Sequence, residues 1–326
     1  MRSKIKNSYV LVTGGAGFIG SHLVDQLLNE GAKKVVIVDN LFVGHKSNIK
    51  DAIKKGEIFI KDDVEIEGTL DYILQDYEID IVFNCATKAL NYSFINPQNA
   101  YMTNVNIMKN LLELQRRGAF HTLCHFSSSE VYGSAVYEPM DENHPYKATT
   151  TYAAGKAAAD IMLFSYVNQY KLDAFIVRPF NNYGPRQNYE GPLAGIIPIT
   201  AKRIMNGEAP EIHGTGMQSR DFIYVEDTVA AILKLYPKMP IGEAVNISTN
   251  GQIKIKELIE KICDYMDFNG EIVYKERRNA DVDCHNASNT KLHTLIDFEP
   301  MSFDRGLALT LDWYKKNINC KEQVEK

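Results

Sequence analysis

The segment Thr13–Gly20, TGGAGFIG, constrains this chain more than any other. Gly14, Gly17 and Gly20 recur at every third position, directly after the apolar run SYVLV and directly before the helical pattern FIGSHLVDQLLNEG. A strand–glycine–helix unit of this kind makes a tight turn and lets backbone approach a ligand closely. It also aims the unsatisfied N–H groups of a helix N-terminus at an anion. The next β-branched run, KKVVIVDN, ends in Asp39 and Asn40, about twenty residues further on. A carboxylate there can accept from both hydroxyls of an adenosine ribose and repels a 2′-phosphate. No Arg follows it, so NAD is expected rather than NADP. Gly14, Gly17, Phe18, Ile19 and Gly20 are expected against the pyrophosphate. Asp39 and Asn40 are expected at the ribose, and Asp63 and Val64, at the end of the run GEIFIKDDV, at the adenine.

Strand and helix patterns go on alternating through EGTLDYILQDY, IDIVFNCAT, NAYMTNVNIMKNLLELQRRG and TLCHFSS. The strand-like runs lack polar alternation, as expected where helices cover both faces of a sheet, and Gly31 and Gly118 stand where helices should stop. This pattern predicts an α/β fold with a doubly wound parallel sheet. After residue 178 it loosens: RPFNNYGPRQNYEGPLAG reads as a long loop, followed by four helical patterns separated by short strands. A dinucleotide-binding domain over residues 1–178, rejoined by 219–248, and a smaller mixed α/β substrate domain over 179–218 and 249–326 are expected.

Composition narrows the function class. The 326 residues carry a formal charge of -5 and a pI of about 5.9, which argues against a dedicated nucleic-acid or membrane-surface binder. Five widely spaced cysteines without a CxxC suggest neither a disulfide framework nor a metal site. No apolar run approaches eighteen residues, and the apolar run at the N-terminus is too short for a signal peptide. A cytoplasmic protein without a metal is expected.

Two further stretches carry chemistry. In TTYAAGKAAAD, Tyr152 precedes Lys156 by four residues within a helical pattern, placing both on one face. A neighbouring ammonium is expected to lower the Tyr152 pKa and make the phenol a base toward an alcohol. In HFSSSEVYGS, an apolar run ends in Ser127, Ser128, Ser129 and Glu130. If that strand is central, these groups face a cofactor crevice.

Together TGGAGFIG, DN at 39–40, SSSEVYG, YAAGK, RPFNNYGPR, RDFIYVED and RRNAD resemble the extended short-chain dehydrogenase/reductase family, with its Rossmann fold, and within it the nucleotide-sugar epimerases and dehydratases. The resemblance implies tightly held NAD used as a recycled hydride store, a nucleotide-sugar substrate with UDP the expected carrier, and a homodimer. It implies that Lys88 reaches the cofactor or substrate phosphates, that Ala86 and Asn104 border the cofactor, and that Ser127 lines the nicotinamide. Ser128 would hydrogen-bond the sugar beside Tyr152, Asn181 would contact the sugar or its diphosphate, and Arg220 and Arg278 would pair with the diphosphate.

Glu130 separates the chemistries within that family. After C4 oxidation the C5 proton is acidic, and a carboxylate can remove it; simple 4-epimerases do without one. Similar 4,6-dehydratases carry Thr-Asp-Glu, with the Asp as acid toward the departing C6 hydroxyl; here Ser128, Ser129 and Glu130 stand in those places, and serine is a poor acid. The leading expectation is a dehydratase yielding a 4-keto-6-deoxy sugar or a 5,6-ene. A 4-epimerase, a UDP-glucuronate decarboxylase and a non-catalytic NAD-binding protein remain open.

Overall fold

The computed structural model describes residues 2–277, 282 and 284–322. Six strands, β1 (Tyr9–Thr13), β2 (Lys34–Val38), β3 (Ile58–Ile60), β4 (Ile81–Asn84), β5 (Thr122–Phe126) and β6 (Asp173–Pro179), join Ala244–Ile247 in one seven-stranded sheet. Its order is Ala244–Ile247, β6, β5, β4, β1, β2, β3, and every neighbouring pair is parallel. The chain winds outward from β1 to β3, then crosses back to β4 beside β1. That reversal opens a crevice at the carboxyl ends of β1 and β4, where ligands of doubly wound sheets bind.

The helices are α1 (Phe18–Asn29), α2 (Lys50–Lys54), α3 (Thr69–Asp76), α4 (Pro97–Arg116), α5 (Thr151–Tyr170), α6 (Ile196–Met205), α7 (Val225–Leu235), α8 (Ile255–Tyr265), α9 (Thr290–Leu295) and α10 (Phe303–Glu322). Val10 and Val12 of β1 face the layer containing Leu23 and Leu27 of α1 and Ile232 of α7. Leu11 between them faces Ile73 of α3, Leu111 of α4 and Leu163 of α5. Successive strand residues point to opposite faces, and both faces are dry, which is why these strands read as unbroken apolar runs.

A separate core holds Ile197 and Ala201 of α6, Leu258 and Ile262 of α8, and Leu311 and Tyr314 of α10. The segment expected as an uninterrupted loop after residue 178 contains the short strand Asn181–Tyr183, paired in parallel with Phe222–Tyr224. The local Gly, Pro and Asn content masks it, because its hydrogen-bond partner lies about forty residues away.

Helix α5 is placed by its contact with α4. Thr150 caps it, its side chain accepting from Ala153 N at 3.2 Å, and Tyr152 N donates to Ser93 Oγ at 3.0 Å. At Gly155 the helices approach so closely that a Cβ would lie 2.6 Å from the Tyr101 carbonyl oxygen. An alanine there gains about 1 kcal/mol of helix propensity, but backbone on the far side cannot yield as a side chain can, and overpacking costs about 1–3 kcal/mol or more. Gly155→Ala is therefore expected to destabilise the protein and to displace Tyr152. A lower midpoint in urea at unchanged slope, together with weaker activity, checks this; a raised midpoint would show that propensity wins.

Candidate active site

The glycine-rich turn stands at the crevice. Gly14 has a φ of 66°, a left-handed conformation, and a Cβ there would lie 2.8 Å from Ala86 backbone. A Cβ on Gly20 would overlap the Gly14 carbonyl oxygen. Helix α1 begins after Gly17 with no side-chain cap, so its first N–H groups are left for a ligand. Asp39, 8% exposed at the end of β2, accepts from Ala16 N at 3.0 Å and Leu41 N at 2.8 Å, which fixes the carboxylate against the turn. Burial nevertheless raises its pKa. Asn40 donates to Asp63 Oδ2 at 2.8 Å.

A cavity of about 330 Å³ runs along this surface, lined by Gly14, Gly17, Phe18, Ile19, Gly20, Asp39, Asn40, Asp63, Val64, Ala86, Lys88, Ser127, Ser128, Tyr152 and Lys156 among others. Asn104 stands one layer behind it, accepting from Thr87 Oγ1 at 2.8 Å. The buried Lys88 ammonium lies 4.3 Å from the centre of the Phe42 ring, on this cavity alone. A second cavity, of about 800 Å³, opens toward the α6–α8 side and is lined by Ser128, Ser129, Glu130, Tyr152, Asn181, Arg203 and Arg220 among others. Ser128 and Tyr152 belong to both, so a phenol and a hydroxyl occupy the seam between the two. Asn181 is anchored by its own N–H and its Nδ2 to Asp221 O, at 3.0 and 3.3 Å. Arg220 donates to Ser219 O at 2.8 Å. Arg278 lies outside the described residues.

The serine-rich stretch is a short 3-10 turn, Ser129–Tyr132, whose cap is Ser128: its Oγ accepts from Glu130 N at 3.2 Å. Ser127 Oγ instead faces away and donates to Asp160 Oδ2 at 2.8 Å. Glu130 is half-buried, with Oε1 3.9 Å from His285 Nδ1.

One electrostatic expectation is overturned. Burial pushes the Tyr152 pKa up to about 12, and hydrogen bonds with Ser128 and Thr87 counter this only in part, while Glu130 adds to it. Lys156 Nζ donates to Phe126 O, 2.7 Å away. Burial lowers the Lys156 pKa to about 8.

The model of the NAD-dependent epimerase/dehydratase family matches residues 10–248. The chain belongs to this family. A putative UDP-glucose 4-epimerase of Methanocaldococcus jannaschii is 33% identical over 94% of this chain and 99% of its own. A UDP-glucuronic acid decarboxylase of Arabidopsis thaliana is 31% identical over 96% of this chain and 91% of its own. A dTDP-glucose 4,6-dehydratase of Streptomyces venezuelae, solved with NAD bound, superposes with a TM-score of 0.90 at 28% identity, covering 96% of this chain and 98% of that one. As in the rest of the family, the cofactor is NAD. The residues fit it: a glycine turn that a Cβ would close, an uncapped helix N-terminus, and a fixed carboxylate on the same cavity wall.

Four contributors to the site are not among the residues expected from the sequence. Asp160 is within reach of the same reasoning, since it continues the four-residue spacing of Tyr152 and Lys156 along α5. Thr87 lies in a loop and Ser93 in the short 3-10 helix Leu90–Phe94, neither of which carries a periodic signal. His285 enters through a two-residue strand that pairs with Ser219–Arg220. Among the described residues, no cluster of His, Cys, Asp and Glu could hold a metal ion, and no helix is long and apolar enough to cross a membrane.

Asp39→Asn keeps the side chain's size but removes its charge. Charge-assisted hydrogen bonds contribute about 1.5–3 kcal/mol, so NAD affinity is expected to fall about tenfold or more while discrimination against NADP narrows. Calorimetric titration of both cofactors checks this, and undiminished NAD preference would free Asp39 of the role.

Proposed function

We propose that this chain is a nucleotide-sugar dehydratase that removes water across C5 and C6 of a hexose or N-acetylhexosamine after oxidation at C4. The observation that carries the reading is Glu130, a carboxylate on the wall of the second cavity, on the same turn as Ser128 and near enough to Tyr152 to raise its pKa. The names of the relatives support a nucleotide-sugar substrate at the level of the family. The same reading takes UDP as the carrier and a cytoplasmic homodimer as the working form. It also assigns residues 1–178 with 219–248 to the cofactor and the remainder to the substrate.

When bound, NAD supplies the hydride acceptor and donor. The chain's residues handle the protons and the positioning. Tyr152, at the seam of the two cavities, takes the proton of the sugar C4 hydroxyl, and Ser128 holds that oxygen in place. A Tyr152 pKa near 12 makes the phenol a reluctant base, so positive charge brought near it must lower that value. Lys156, buried four residues along the helix, is the chain's own source of such charge. Glu130 then removes the C5 proton, which the C4 carbonyl has made acidic. Asn181 and Arg220 line the part of the second cavity where a sugar diphosphate is to be held, and Arg203 adds a further cation.

Epimerisation at C4 is the second reading, favoured by the 33% identical relative and by Ser129 standing where similar dehydratases carry an acid. Incubation with a panel of nucleotide sugars and then mass spectrometry separates the readings. Loss of water supports dehydration and loss of carbon dioxide supports decarboxylation, while unchanged mass with an inverted C4 by NMR supports epimerisation.

Tyr152→Phe is expected to lower turnover about 10²- to 10⁴-fold with NAD still bound; near-normal turnover would make another group the base. Glu130→Gln retains size and some hydrogen bonding but cannot take the C5 proton. Oxidation at C4 should survive, so reduced cofactor accumulates by absorbance, while water loss and exchange of the C5 hydrogen with solvent deuterium collapse. Undiminished turnover of the true substrate by this variant would leave epimerisation as the better reading.

A further inference from the structure

His285 is fully buried, on the strand Cys284–His285. Its Nε2 lies 3.2 Å from Gly133 O, a contact that only an Nε2–H can make favourable, so the ring is the Nε2-protonated tautomer when neutral. Nδ1 then carries a lone pair, makes no hydrogen bond among the described residues, and lies 3.9 Å from Glu130 Oε1. A lone pair facing a carboxylate in a buried place is unfavourable, and one added proton between them turns repulsion into attraction. Burial lowers the His285 pKa; Glu130 opposes that shift by favouring the cation, while Arg220 and His144 add to it, and the Phe180 ring packs 5.8 Å away between centroids.

We propose that Glu130 and His285 form a one-proton couple that stores the C5 proton of the sugar and returns it to the departing C6 hydroxyl. This rests on the dehydratase reading. Glu130 touches the sugar; His285 does not line the cavity and is a positioning residue acting through Glu130. In the elimination from the 4-ketone, the C5–H bond breaks, its proton passes to Glu130, and its electron pair flows toward the C4 carbonyl. The C6–O bond then breaks with formation of C5=C6, and the leaving hydroxyl takes the stored proton as water. Atoms and electrons balance without a further reactant. The couple supplies the acid function that Ser129 cannot, since a serine hydroxyl does not hold an exchangeable extra proton near neutral pH.

The test uses the full-length protein with NAD bound and the nucleotide sugar found to lose water. His285→Gln can keep the bond to Gly133 O but has no titratable nitrogen. Elimination is expected to slow about 10- to 100-fold while C4 oxidation, monitored by reduced-cofactor absorbance, stays within about twofold. The acidic limb of the pH profile for elimination should shift, and that for oxidation should not. A fold-only role would weaken both steps together and leave the limb in place, and that result overturns the proposal. A second readout needs no turnover. In NMR of imidazole-labelled protein, Glu130→Gln should move the titration of His285 to lower pH, because the carboxylate is what favours the cation. No movement overturns the couple. A wild type that loses water from no nucleotide sugar, with this movement still seen, fails the dehydratase reading and the couple's assigned task, while the pairing itself stands measured.

Discussion

The hydrogen bond from Lys156 Nζ to Phe126 O, 2.7 Å long and wholly buried, ties the helix that carries Tyr152 to the last residue of β5. The serine-rich turn begins directly after Phe126, so the bond sets Tyr152 against Ser128 and Glu130. A lysine is a costly residue to bury, and burial lowers its pKa. Its placement is maintained by the crossing of α4 and α5 at Gly155, where no side chain separates the backbones. The absence of a methyl group at one position of α5 thus decides where the phenol three residues earlier stands.

A second tie lies beneath the turn. Arg178 of β6 donates to Asp160 of α5 from Nε at 3.2 Å and Nη2 at 3.1 Å, and its Nη1 donates to Tyr132 OH at 2.8 Å. Tyr132 OH donates in turn to Asn246 Oδ1 at 2.8 Å, and Tyr146 OH and Ser127 Oγ also donate to Asp160. Such a buried pair contributes little net stability, but deleting one partner strands the other at about 3–5 kcal/mol. Its consequence is geometric: one network joins β6, α5, the turn and the strand Ala244–Ile247, and so fixes where the turn sits.

Local signals in the sequence account for much of this. TGGAGFIG is legible because a tight turn needs glycine at defined places, and Tyr152 and Lys156 because helical spacing puts them on one face. The layered parallel sheet is legible in runs such as VVIVDN, which lack polar alternation. The Tyr152 pKa is not, because spacing says that two side chains share a face but not where their ends point; Lys156 points to a carbonyl contributed by another element. Asn104, expected against the cofactor, holds Thr87 from behind. His285 carries no signal, since its neighbours Gly133 and Glu130 lie more than 150 residues earlier. Contacts of that range are written in the pairing of short strands rather than in any local pattern.

This division bears on why relatives at similar identity carry names of three chemistries. On the proposed reading, the parts that would serve oxidation at C4, the glycine turn, Asp39, Ser128, Tyr152 and Lys156, are also the parts held in place by backbone geometry and local spacing. On the same reading, dehydration further requires a base that reaches C5 of the resulting 4-ketone. On that reading the requirement falls on one side chain, Glu130, against which the strand Cys284–His285, paired with Ser219–Arg220, sets His285. The proposed oxidation step therefore rests on elements whose displacement would disturb the whole sheet. The proposed elimination step rests on a turn and two very short strands, where an exchange of one residue can alter the site without changing the fold.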